Sequence, residues 1–196
     1  METEKTITTE ESLQLISKMI KTVQTDLEDD SFYFLIWGWA VLIAAVGEMI
    51  LIGMDIQQHA LTWAVLMPLA GIGTWIYASR HEKEKKVKTY IDELMYYVRV
   101  SFLVTLSVVI FFSFKLQMNT YPIILMIYGL WLFISGGAMK FRPMIIGGIV
   151  NWLIAIPCFF INFEYQLIAL ALAVVLGYII PGHLLRLRYR KNLVKA

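Results

Sequence analysis

Cysteine is almost absent. Cys158 stands alone inside an apolar run, so no intrachain disulfide can form and a small disulfide-built fold is excluded. Charge is scarce too, at 16% of residues against about 25% in an ordinary soluble domain. The usual marks of soluble enzymes are missing: there is no Gly-rich phosphate loop, HExxH, CxxC or GxSxG. His81-Glu82 is followed by Lys-Glu-Lys in a charged stretch, which makes no metal site. The expectation is therefore a protein that is not an enzyme and holds no cofactor or metal.

What fills the chain instead is apolar. The hydrophobic fraction is 59% of 196 residues, against roughly 45–50% in soluble domains. The few charges are clustered: residues 1–31 hold 11 of the 32, residues 80–99 hold 10, and residues 186–195 hold 5. Only 6 are left for the remaining 135 residues. A soluble fold of this size leaves roughly 30% of its unfolded surface in water, too much to keep such a composition hidden. The solvent for most of the chain is lipid.

Six runs are long enough to cross a hydrocarbon core about 30 Å thick, which takes about 20 helical residues. They are 32–54, 60–79, 94–114, 120–139, 143–163 and 165–185. The runs are continuously apolar without period-two alternation, which favours helices over a barrel. The expected fold is an all-α bundle of six transmembrane helices joined by short turns at 55–59, 115–119 and 140–142, with the fifth and sixth runs meeting near 162–164.

Lys and Arg set the expected orientation. With a cytoplasmic N-terminus, 16 of the 17 basic residues fall on the cytoplasmic side, and only Lys115 lies outside. Both termini are expected in the cytoplasm. Residues 1–31 are polar and acidic, without a short apolar core ahead of a cleavage site, so no cleaved signal peptide is expected.

Three cytoplasmic features stand out. Thr8 and Glu11 fit a capping box, and Leu13, Ile16, Ile20, Val23 and Leu27 then follow at three- and four-residue steps, one face of an amphipathic helix. With 8 acidic and 3 basic residues, that segment is repelled by an anionic leaflet, so its apolar stripe suits protein. It either caps the bundle or docks on a second protomer or another cytoplasmic protein. The loop bearing Arg80, Lys83, Lys85, Lys86 and Lys88 is a basic counterpart for Glu28, Asp29 and Asp30. The tail at 186–196, with Arg186, Arg188, Arg190 and Lys191, reads as a helix leaving the bilayer along lipid phosphates, which enforces topology. No nucleic-acid-binding motif accompanies it, so no nucleic-acid partner is expected.

Inside the membrane, ionisable and strongly polar residues are the first place to seek function. Glu48 lies 16 residues beyond Phe32, about 24 Å along a helix, and is a candidate proton or cation site. Asn151 is the strongly polar residue nearest a midplane; it either lines a solute path or bonds a neighbouring helix. Arg99 reads as snorkelling to inner headgroups, and His183, beside Pro181-Gly182, as structural.

An internal pattern suggests a three-plus-three inverted repeat. Ile36-Trp37-Gly38 and Ile127-Tyr128-Gly129 are each followed by a small pair, Ala44-Ala45 and Ser135-Gly136. Thr62-Trp63 and Asn151-Trp152 each lead to a proline five residues after the Trp, Pro68 and Pro157. Prolines in mid-span free backbone carbonyls, as in many transporters. Against a wide pore stand small-residue faces, Ala169, Ala173 and Gly177 among them, that favour tight packing or a homo-oligomer. Two readings result: an interaction or regulatory membrane module working through its cytoplasmic segments, which the polar poverty of the spans favours, and a small-solute or ion transporter using Glu48, Asn151 and the carbonyls freed by Pro68 and Pro157.

Overall fold

The computed structural model describes residues 31–81, 90–116 and 119–194, and among these every element is helical. The helices are α1 (Ser31–Gly53), α2 (Leu61–His81), α3 (Tyr90–Phe111), a short α4 (Ser113–Leu116), α5 (Thr120–Ala138), α6 (Arg142–Cys158), α7 (Phe163–Val174) and α8 (Ile180–Val194). A π-helical segment, Val175–Ile179, joins α7 to α8 without a break. The proposed cytoplasmic helix with Leu13, Ile16, Ile20, Val23 and Leu27 lies outside the described residues, as do Lys83, Lys85, Lys86 and Lys88.

Among the described residues, five helices are long and apolar enough to cross a membrane: α1, α2, α3, α5 and the continuous rod 163–191. The chain is a multi-helix membrane protein. The fifth run departs from expectation. It was expected to reach residue 163, but α6 has 17 residues and stops at Cys158, a length of about 25 Å. Two backbone contacts of the tighter 3₁₀ type, Phe159 N–H to Ile156 and Phe160 N–H to Pro157, wind it down. Gln166, on α7, then donates to the carbonyls of Cys158 at 2.9 Å and Ile161 at 3.1 Å, satisfying acceptors left by the helix end. The third run also differs. α3 begins at Tyr90 and breaks at Phe112 before α4 resumes.

Four units make the core: α1, α5, α6 and the rod from α7 through the π segment to α8. Among the described residues the packing of α5 on α6 is the most extensive, and glycine makes it so. A Cβ on Gly148 would stand 2.7 Å from the Gly129 carbonyl and 2.8 Å from the Phe133 amide nitrogen. Only a bare backbone permits that approach. α2 packs chiefly on α1, and α3 chiefly on α5, so both are peripheral, with 6% of their apolar windows buried.

The bundle has two distinct ends. At one, the start of α5 and of α7 meet the α1–α2 turn, with Phe163 lying 5.3 Å from the Tyr121 ring and 6.4 Å from His59. At the other, Arg188 of α8 stacks 5.6 Å over Phe141 and donates to the Lys140 carbonyl, at the α5–α6 turn. Lys140 adopts φ 50° there, and Asp55 φ 56° in the α1–α2 turn. α6 runs from the second end to the first. α8 continues the rod as far as Val194, with Arg186, Arg190 and Lys191 exposed along it.

The helix order places α1 against the α7–α8 rod and α5 against α3. The tryptophan–proline match, however, is not a structural equivalence. Trp63 bonds to Glu48 and Trp152 to the Met126 carbonyl, both toward the end where α5 begins. A two-fold axis in the membrane plane would exchange the ends and put the two indoles at opposite ones.

Candidate functional site

The inward face of α1 carries Val41, Ala44, Ala45 and Glu48 at helical spacing, all buried. Its small residues bring neighbours close, and its last member is a carboxylate with a 3% exposed side chain. Residues 54–60 then reverse the chain. His59 and Trp63, four residues apart, share one side of the entry into α2 and close over Glu48.

Three partners converge on that carboxylate. The Trp63 indole N–H donates to Glu48 Oε2 at 2.6 Å, and the Tyr121 hydroxyl donates to the same oxygen at 2.5 Å. His59 Nδ1 lies 2.8 Å from Oε1. An indole N–H can only donate, so Oε2 is filled as an acceptor. Any proton held by the Glu48–His59 pair therefore sits on the Oε1–Nδ1 contact. It belongs to the imidazole when Glu48 is ionised and to the carboxyl when His59 accepts through Nδ1. A buried carboxylate is tolerated only with such partners. The rings of Trp63 and Tyr121 lie 6.1 Å apart, and Phe163 lies 5.3 Å from the Tyr121 ring, so aromatic side chains crowd the carboxylate.

His59 is the opening. Its side chain is 35% exposed and borders an open basin of about 590 Å³, lined by Ile52, Asp55, Gln57, Asn162, Phe163 and Glu164 among others. Asp55 and Glu164 make this basin acidic, so it gathers cations and protons. The sequence of groups runs from acidic basin to half-exposed imidazole to buried carboxylate.

On the far side of Glu48, Tyr121, Tyr128 and Ser135 recur at seven-residue steps on α5. They share one face, about 10 Å apart along the axis. A fully buried layer that includes Leu125, Ala44 and Ala45 separates Tyr121 from the next two. Beyond that layer lies a cavity of about 230 Å³ between α1, α2, α3, α5 and the π segment, lined by Thr74, Arg99, Phe102, Tyr128 and Tyr178 among others.

The other residues singled out from sequence are placed differently. Asn151 is wholly buried and lines neither the basin nor the cavity. Its amide donates to Gly147 at 2.8 Å and reaches the Ala173 carbonyl at 3.4 Å, tying α6 to α7 beside the π segment. Pro68 and Pro157 both face outward. The carbonyls they free, four residues earlier at Ala64 and Leu153, lie on exposed faces. Pro157 is also one residue from the end of α6, not in mid-span. Neither proline nor Asn151 joins Glu48. Arg80 is exposed at the end of α2.

His59, Tyr121 and Gln166 were not foreseen, and Trp63 only as part of a repeat. Depth was the available signal. Glu48 lies six residues from the end of its run, Trp63 and Tyr121 lie three and one residues from the matching end of theirs, and His59 lies in the adjoining turn.

Comparison with known proteins returns no match: no family model, curated protein or solved structure is similar to this chain.

Proposed function

We propose that this protein is a proton-coupled transporter of a small solute, with Glu48 as its proton-carrying group and His59 as the relay from the outer basin. The supporting observation is the convergence of Trp63, Tyr121 and His59 on one buried carboxylate, the imidazole among them standing at the edge of the acidic basin. A carboxylate kept merely for packing needs no route to solvent. Such sites in membrane helices mark ion and proton paths.

In this reading the chain crosses the membrane six times. α6 counts as a crossing because it runs between the two ends of the bundle, its shortness sheltered by α5 and α7. The Arg188 end faces the cytoplasm, with both termini, and the Glu48 end faces outward, in accord with the Lys and Arg distribution. The three-plus-three inverted repeat draws support from the reciprocal packing of α1 and α5, though not from the tryptophan motif. The basic α8 extension favours a second role as a cytoplasmic docking surface, alongside residues 1–31.

The test is proton movement in liposomes loaded with a pH-sensitive dye, under an imposed gradient and a panel of small organic anions and cations. A transported solute should collapse the gradient with the wild type. Glu48→Gln should fold, because the amide matches the neutral acid in shape, yet leave the gradient intact. Flux unchanged in amplitude and pH dependence by Glu48→Gln, or no proton movement by the wild type with any solute, would overturn the proposal.

A further inference from the structure

α1 and the α7–α8 rod pass each other in opposite directions. A Cβ on Gly38 would stand 3.1 Å from the Ile179 side chain, and one on Gly182 would stand 3.0 Å from Leu35 and 3.6 Å from Phe34. Past that last contact both chains leave the bundle at its Arg188 end. α8 runs on to Val194, while α1 starts at a buried Ser31. The N-terminal segment is therefore tethered beside the α8 extension.

The face of α8 that meets α1 becomes basic beyond the bundle. Four and eight residues past Gly182, on the same side of the helix, stand Arg186 and Arg190, both exposed. They lie about 6 and 12 Å further along the axis. Arg188 is engaged elsewhere, over Phe141 and on the Lys140 carbonyl. Among the described residues neither Arg186 nor Arg190 has an acidic partner.

Suitable anions are next in sequence. Residues 1–31 hold 8 of the 15 acidic side chains. Counted back from Phe34 by the same steps of four and eight, Asp30 falls level with Arg186 and Asp26 level with Arg190. The positions between agree. Leu27 falls level with Tyr189 and Val23 with Leu193, and both Val23 and Leu27 belong to the apolar stripe. One antiparallel register matches charge with charge and apolar with apolar.

We propose that residues 23–30 dock on this face of α8, with Asp30 on Arg186 and Asp26 on Arg190, continuing the α1–α8 contact beyond the bundle. Arginine forks suit carboxylates because two N–H groups can meet two oxygens. The tether at Ser31 holds these acids near the arginines at high effective concentration, whereas an anionic leaflet repels so acidic a segment. The inference deepens the docking role given to α8 above, on which it rests, by naming the chain's own segment as what docks there. It is independent of Glu48.

The full chain in liposomes, carrying Cys158→Ala, Val23→Cys and Leu193→Cys, tests the register by copper-catalysed disulfide formation. The expected product is an internal link at monomer mass, formed alike in phosphatidylcholine and phosphatidylglycerol. Arg186→Asp with Arg190→Asp should abolish it, and adding Asp26→Arg with Asp30→Arg should restore it. About 1 M salt, where screening shortens to about 3 Å, should slow the link. No link, a link indifferent to the arginine changes, or no restoration by the second pair would overturn the docking. A link lost only in phosphatidylglycerol would assign the arginines to lipid phosphates and remove the docking role of α8 as well. A link at dimer mass would overturn the internal contact yet keep α8 as a docking surface, for a second copy.

Discussion

Trp63 Nε1 sits 2.6 Å from Glu48 Oε2, a hydrogen bond that pins the start of α2 to the last third of α1 across the turn between them. Because the indole cannot accept, the contact also fixes which carboxylate oxygen remains for His59. One bond thus joins two helices and chooses the position of a proton.

Trp63→Phe keeps the ring but removes the donor. Oε2 then retains Tyr121 alone, and α2 loses its main polar tie. A hydrogen bond to a charged group contributes about 1.5–3 kcal/mol, so the variant should lose stability of that order in thermal unfolding in detergent. Glu48→Gln combined with Trp63→Phe should lose less than the sum of the two single changes, because they share one bond. Additive losses would show that the Trp63 bond does not depend on the carboxylate at residue 48.

Gly177 stands where a side chain would strike Asn151. A Cβ there would meet Asn151 Nδ2 at 2.1 Å and the Gly147 carbonyl at 3.2 Å. Gly177→Ala should therefore lower the melting temperature sharply. Asn151→Ala alone should cost little, since interhelical hydrogen bonds in membranes average about 0.6 kcal/mol. In the Gly177→Ala background, Asn151→Ala should restore part of the loss, and a double-mutant cycle measures it. No restoration would mean that backbone crowding against Gly147, not the amide, is what demands glycine.

Topology is tested on a Cys158→Ala background, which removes the single buried thiol. In intact cells, an impermeant thiol reagent should label Gln57→Cys, at the rim of the basin, and spare Lys191→Cys on the exposed face of α8. The reverse pattern would turn the protein over and place the basin in the cytoplasm.

The apolar composition and the scarcity of charge determined by themselves that this chain is a helical membrane protein. Backbone groups in lipid must be paired within the helix, so long apolar runs have one outcome. The α5–α6 hairpin was legible too, since only the short turn at 140–142 separates the two apolar runs. The partition of helices into core and periphery was not. The spans are apolar all round, and lipid is as apolar as a protein interior, so nothing in α2 or α3 announced that they would pack at the edge. Glu48 was visible as an isolated carboxylate in the sequence. That it is not isolated was decided by the tertiary structure, which brings together residues 11, 15 and 73 positions away. The stopping point of α6 and the π segment beside Asn151 were likewise settled by packing. Both depend on which carbonyls find a donor, Gln166 for one and Asn151 for the other, and donors that reach across helices leave no trace in local sequence.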